Sequence, residues 1–524
     1  MSLWRQLTFG LRLSGQGRNR CADTRILSPL LYQLARFALA LASVLVMACS
    51  DSPTGPGPTP ADTMPPPITR EMRGLWIATV ANIDWPSRST LTADQQRAEL
   101  TDILDRAVAA GFNAVILQVR PAADAVYRSS LEPWGAMLSG QQGTDPGYDP
   151  LAFAVTEAHT RGLELHAWIN PFRAGNARDS ALLAPSHSFN TRRGLVRVYG
   201  TQLWLDPGEN AVHDHVMTVV RDIVQRYDID AVHADDFFYP YPQTSGGQTI
   251  DFPDSETYSR SGSSLSRADW RRENVDRFIA RLYREVHELK PTTKVGISPF
   301  GIWRPGNPPG VAGLDAYSAI YADSRKWLQQ GWVDYLAPQL YWSISAPQQS
   351  FPALLDWWLA QNTQGRHVWP GLAAYRVNDG TTSAFGITEI PNQIRTTRAR
   401  PAASGHLLYN TTTTLKRNGG ALAAAVAPLH TPRAIPPAFT WLDALPPDSP
   451  ILTVSGRTVT VAPGAAEVPR WWVIRVRVGG VWSTRVLFGD QRSLTLTGDL
   501  ERVIANAIDE AGNSSTPSSW SSAP

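Results

Sequence analysis

From Arg70 onward, short apolar runs alternate with longer segments whose apolar residues recur every three or four positions. The short runs occupy residues 74–80, 114–119, 163–169, 231–235, 294–298, 335–340, 368–373 and 406–409. Runs of this length bounded by turn residues predict buried strands. Residues 94–110 and 150–161, which stop at Gly111 and Gly162, predict amphipathic helices, as do residues 270–289 ahead of Pro291. Strand and helix in alternation predict a parallel α/β fold. Two features select a closed (β/α)₈ barrel over a doubly wound sheet. No G-x-G-x-x-G follows the first run, and polar and acidic residues gather just past the ends of the runs, the face on which a barrel carries its active site.

Past Trp441 the period falls to two. A proline-rich joint at 445–450 precedes short runs at 458–461, 471–478, 484–487, 494–496 and 502–507. Residues 509–513 read as a tight turn before one last strand. This pattern predicts a small β-sandwich. The expected boundaries are a barrel at 70–444 and a sandwich at 445–524.

The N-terminal region differs from both. Residues 37–48 (FALALASVLVMA) follow Arg36 and are too few to cross a bilayer, which takes about 20. They predict a secretory leader over 1–49. Val46-Met47-Ala48-Cys49 resembles a bacterial lipobox, which implies a lipid on Cys49 and anchoring to a membrane. The resemblance implies the outer membrane, because Ser50 rather than Asp follows the cysteine. Residues 50–69, rich in Pro, Gly, Ser and Thr, read as an extended tether.

Composition narrows the chemistry. The 524 residues carry 48 basic and 46 acidic side chains, net +2, without the basic stripe that nucleic acid requires. The two cysteines, Cys21 and Cys49, both precede the barrel, so no disulfide framework and no Cys/His metal spacing exists there. No metal or cofactor is expected. The 19 tryptophans offer flat apolar faces that suit sugar rings, although any single Trp can equally fill core.

The sharpest candidate is Asp235-Asp236, two carboxylates that follow the fourth run and precede Phe237, Phe238 and Tyr239. Burying such a pair without partners is costly, and cleavage of a glycosidic bond needs two carboxyl groups. Side chains alternate along a strand, so the two Asp are expected to point different ways. Glu132, beside Trp134, is the third catalytic candidate, with Asp84 and Asp124 as alternatives for the second carboxyl. Arg120, Asn170, Gln339, Tyr341 and Trp342 also fall at strand ends. His166 and His233 lie inside strands and read as core histidines; His213 and His215 make only a weak metal candidate. The fifth and sixth strands end without a Glu, which leaves a glycan-binding protein without turnover as the alternative to an enzyme.

The motifs then come in order: Arg73-Gly74-Leu75-Trp76, Gln118-Val119-Arg120-Pro121, Glu132-Pro133-Trp134, Asn170-Pro171-Phe172-Arg173, His233-Ala234-Asp235-Asp236, Ser298-Pro299-Phe300-Gly301 and Pro338-Gln339-Leu340-Tyr341-Trp342. Over residues 70–440 the chain resembles glycosyl-hydrolase-like family 10. The resemblance implies an exported lipoprotein that hydrolyses peptidoglycan glycan strands stripped of their stem peptides. It implies Asp235 and Asp236 as the catalytic centre. Arg120, Glu132, Trp134, Asn170, Tyr239, Gln339, Tyr341 and Trp342 are expected to line the cleft. The C-terminal module resembles a fibronectin type III-like domain.

Overall fold

A computed structural model describes residues 64–465 and 467–522. The expected leader, Cys49 and most of the tether lie outside the described residues. From Pro65 onward the chain forms one compact unit.

Eight parallel strands follow in chain order, all but completely buried: β1 (Met72–Ile77), β2 (Ala114–Arg120), β3 (Glu164–Ile169), β4 (Ala231–Ala234), β5 (Lys294–Ile297), β6 (Tyr335–Leu336), β7 (His367–Val368 and Gly371–Ala373) and β8 (Gly405–Tyr409). Each pairs with the next, and β1 pairs with β8 through Met72–Gly405 to Leu75–Leu408. Closure happens within β7. Its first half pairs with β6 and its second half with β8. The two halves are separated by Trp369-Pro370, and the Pro370 carbonyl accepts from the Leu407 amide. The strand is therefore split where proline has no N–H to give. β6 is shorter than its apolar run for the same reason, because Pro338 ends the ladder.

Long helices cover the barrel: α1 (Ala93–Ala109), α2 (Pro150–Thr160), α3 (Asn210–Arg226) and α4 (Arg267–Leu289). The first two begin as the sequence dictates. Thr92 caps α1 in a reciprocal capping box with Gln95, and Asp149 caps α2 ahead of a proline in the first turn.

Large and small residues alternate inside the barrel. Trp76, Trp168, Tyr335 and Trp369 fill it beside Ala78, Ala114, Ala231 and Ala337. Gly296 permits this packing, because a Cβ there would sit 1.9 Å from the Tyr335 ring. The Tyr335 hydroxyl spans the interior between His166 Nδ1 (2.8 Å) and His233 Nδ1 (2.9 Å). His166 Nε2 meets Glu164 at 2.8 Å, Glu164 also accepts from Lys294, and His233 Nε2 receives the Trp76 indole N–H at 3.4 Å. Both histidines are thus fully buried and hydrogen-bonded.

The C-terminal strands form two antiparallel sheets. One joins Ile451–Ser455, Thr458–Ala462 and Ser493–Thr495; the other joins Val481–Phe488, Trp471–Val478, Leu500–Ile508 and Ser518–Ser521. Val459 and Val461 of the first pack on Trp472, Ile474 and Val503 of the second. This unit sits at the N-terminal end of the barrel strands. Arg470 reaches Asp230, just before β4, at 2.5 Å, and Phe488 stacks on His159 at 4.6 Å. Phe439, six residues ahead of the joint, enters the barrel core. Residues 65–69, the end of the expected tether, also run against this unit: Ile68 packs with Trp471, Val473 and Ile508, and the Pro66 carbonyl accepts from Arg475.

Candidate active site

β4 is a fully buried strand, so the two residues that follow it leave the barrel at its C-terminal end. Asp235 Oδ2 accepts from the Trp168 indole at 3.0 Å and from the Asn170 amide at 2.5 Å, both delivered by the end of β3. Its Oδ1 accepts from the Phe237 amide at 3.1 Å. Asp236 takes another direction and accepts from the Tyr241 hydroxyl, with the Gln339 amide as a second donor. Gln339 is oriented by donating to the Ser298 carbonyl at 2.9 Å.

No cation forms an ion pair with either carboxylate among the described residues. Burial pushes Asp235 up to about 7, the neighbouring charge of Asp236 adds to the rise, and the three hydrogen bonds oppose it. Burial likewise raises Asp236, against its bonds from Tyr241 and Gln339. Both carboxyls are thus shifted toward keeping a proton, Asp235 as far as neutrality, where a general acid can work.

Aromatic side chains adjoin the pair on one side, through Tyr241, which bonds Asp236 and meets Phe300 edge-on. Tyr341 stacks on Tyr409 at 6.2 Å, Tyr375 meets Tyr341 edge-on at 5.7 Å, and Phe300 meets Trp342 at 5.7 Å. Phe300, Gln339, Tyr341, Trp342 and Tyr375 line a cleft of about 410 Å³. A second cleft of about 570 Å³ opens at the ends of β1 to β3, lined among others by Asn82, Asp124, Gln142 and Arg173. Its backbone is strained: Ala81, Asn82 and Ala123 adopt positive φ of 52°, 55° and 53°. Strain of this kind gathers at functional sites.

Several expected site residues lie elsewhere. Glu132 is not brought to the Asp pair. Its carboxylate is paired bidentately with Arg120 at 2.6 and 2.8 Å and accepts from His215 at 2.9 Å, with its side chain 1% exposed. Despite burial, the Arg120 charge and the His215 hydrogen bond hold it down at about 2, so it has no proton to donate at neutral pH. Arg120 is equally buried and uses its remaining donors on the Asn170 and Pro171 carbonyls. It shapes the turn that aims Asn170 and does not reach the cleft. Tyr239 is fully buried between Phe252 and Tyr321. Trp134 packs half-buried against the core and lines neither cleft. Asn170, Gln339, Tyr341 and Trp342 do meet at the site.

Of the other two carboxyls, Asp84 is occupied by the backbone amides of Ala78 and Thr412, whereas Asp124 lines the second cleft, raised by burial and held by Gln142 and the Ala122 amide. His215 serves Glu132, and His213 bonds to the Pro207 carbonyl at 2.8 Å. Among the described residues no three His, Cys, Asp or Glu side chains are grouped to hold a metal. Sequence reasoning missed Tyr241 and Tyr409. Tyr409 had a signal, since it ends the eighth apolar run; Tyr241 had only its place two residues past Tyr239, beyond Pro240.

A parallel barrel with a buried acid pair beside an aromatic cleft at its C-terminal face offers the two carboxyl groups that glycosidic-bond chemistry uses. The chain belongs to the family described as Glycosyl hydrolase-like 10, whose model matches residues 71–384. It is 39% identical over 395 residues to Glycosyl hydrolase YngK of Bacillus subtilis, covering 73% of this chain and 76% of that one. It is 35% identical over 404 residues to Glycosyl hydrolase DigH of Escherichia coli K12, covering 71% and 91%. Among solved structures it is similar to the PgaB glycoside hydrolase domain of Bordetella bronchiseptica, at 14% identity and TM-score 0.45, covering 69% of this chain and 99% of that one. The catalytic domain of a Paenibacillus polymyxa β-amylase aligns at 13% identity and TM-score 0.46, covering 70% and 100%.

Proposed function

We propose that the protein hydrolyses the glycan strands of peptide-free peptidoglycan, with Asp235 donating the proton to the leaving oxygen. The observation that carries this reading is the Asp235–Asp236 pair, buried without a cation and raised together. In this mechanism a sugar ring stacks on the Tyr341–Trp342 wall. Asp235, protonated near neutrality, delivers its proton to the glycosidic oxygen as the bond to the anomeric carbon breaks. Asp236, oriented by Tyr241 and Gln339, supplies the second carboxylate that glycoside cleavage uses, acting on the sugar or on water. Asn170 and Trp168 hold Asp235 in place throughout. The names of the relatives support a glycosidase.

The leader and Cys49 support a lipid-anchored place in the cell envelope, on the outer membrane. We assign the C-terminal sandwich to the fibronectin type III-like class, as a spacer or wall-binding module. The test is to incubate protein from residue 64 onward with amidase-stripped glycan strands and follow new reducing ends by mass spectrometry. Oligosaccharide products carry the proposal. Tight binding without any new reducing end would replace it with a glycan-binding role.

A further inference from the structure

Arg173 closes the Asn170-Pro171-Phe172-Arg173 motif, yet the acid–base pair makes no use of it. It begins a short strand, Arg173–Asn176, that leaves the end of β3 and pairs antiparallel with Gln202–Leu205. The backbone at Arg173 is thus fixed by a sheet opposite Trp204. Its guanidinium lies over the Phe237 ring, 5.6 Å from the centroid, and Phe237 is the residue whose amide binds Asp235. The same positive charge acts on Tyr409, which the Asp235 carboxylate also influences. Arg173 therefore lines the second cleft at the side nearest the acid pair.

Four other arginines near this face are engaged with partners of their own. Arg120 is held by Glu132, Arg376 by the Tyr341 and Ser383 carbonyls, Arg417 by the Tyr375 carbonyl and Arg197 by Asp206 and Glu209. Arg173, by contrast, makes no ion pair and no side-chain hydrogen bond among the described residues. Asp124 and Asp179 line the same cleft but do not pair with it. A guanidinium fixed at its root, packed over an aromatic ring and left with its fork open is built to receive a planar anion.

We propose that Arg173 is a specificity-determining residue that binds a carboxylate carried by the sugar next to the scissile bond. This deepens the hydrolase reading above and rests on it for its sense. Muramic acid freed of its peptide carries such a group on its lactyl ether, one per disaccharide, whereas a glycan with the peptide attached presents an amide there. Removal of the peptide then creates the charge that Arg173 reads. The reaction class that must supply this substrate is amide hydrolysis at the lactyl carbonyl.

The experiment compares two forms of one glycan: amidase-stripped strands with free carboxylates, and the same strands after carbodiimide coupling to methylamine, which neutralises them. Wild type is expected to lose roughly 10- to 100-fold in kcat/KM on the neutralised strands, the usual scale for one charge-assisted bidentate contact. Arg173→Gln should lose a similar factor on the acidic strands and nothing on the neutralised ones; Arg173→Lys should recover part. Equal losses on both forms, or equal cleavage of both by wild type, would overturn the assignment. Binding of both strand forms is measured in parallel in Asp235→Asn protein, with and without Arg173→Gln. If wild type cleaves neither form but binding still discriminates through Arg173, the hydrolase reading fails and the anion site stands. If cleavage proceeds without charge discrimination, the anion site fails alone.

Discussion

Glu132 and Asp235 are both buried carboxylates at the C-terminal end of one barrel, and their surroundings drive them in opposite directions. Glu132 is enclosed by Arg120 and His215 and sits at about 2. Asp235 is enclosed by an indole, an amide and a backbone N–H and sits at about 7. Desolvation raises both, so the partners decide the outcome. Cations repay the lost hydration of the charged form, whereas neutral donors repay only part of it and leave the proton bound. Both residues stand in motifs shared with the family, and the motifs do not separate them; their partners do.

The comparison can be broken most severely at Asp235. Asparagine there keeps the shape and the acceptor for Asn170 and Trp168 but carries no transferable proton. Turnover should fall about 10²- to 10⁴-fold, the range for removing a general acid, while circular dichroism stays that of wild type. An active Asp235→Asn enzyme would move the chemistry elsewhere, with Asp124 in the adjoining cleft as the first carboxyl to test.

Glu132→Gln should do the reverse. It leaves the Arg120 charge buried without its counter-ion, and breaking a buried pair this way costs about 3–5 kcal/mol. Urea unfolding should show that loss, whereas kcat of the remaining folded enzyme should change little. A large fall in kcat at unchanged stability would return Glu132 to the catalytic set.

The smallest effect is in the pH dependence of stability, and its sign separates the two groups. Asp235 is raised in the folded state, so its contribution is complete below the unfolded value of 3.8 and is lost as pH rises toward about 7. Glu132 is lowered, so its contribution is complete above 4.5 and is lost as pH falls toward about 2. Each acts with at most about 1.4 kcal/mol per pH unit within its window. Unfolding of Asp235→Asn across pH 4–7 should therefore decline less steeply than that of wild type. Parallel curves would mean that Asp235 titrates as an ordinary carboxylate.

Much of the barrel was legible because its signals are local. Each apolar run that ends in a polar residue became a strand, and Asp235, Asp236, Asn170, Gln339 and Tyr341 converge because a parallel barrel brings all its strand ends to one face. What could not be read were partnerships across the fold. Glu132 looks like a loop residue beside Trp134 until His215, 83 positions on, closes over it. Tyr239 follows the Asp pair in sequence, yet the chain turns it away against Phe252. In the sandwich the strand Ile451–Ser455 went unseen. It alternates exposed and half-covered residues directly after a proline, so it offers little contrast with the joint that precedes it.

The buried chain through the barrel interior has a consequence of its own. The Trp76 indole can only donate, so His233 Nε2 must be bare and its proton must sit on Nδ1. That proton points at the Tyr335 oxygen, which obliges the hydroxyl to give its hydrogen to His166 Nδ1. The His166 proton is then left on Nε2, facing Glu164, which can only accept. Followed from Trp76, the bonds give the two imidazoles opposite tautomers. The interior of the barrel is a line of dipoles with one permitted direction, from the Trp76 indole beneath the cleft to the Glu164–Lys294 pair at the far end.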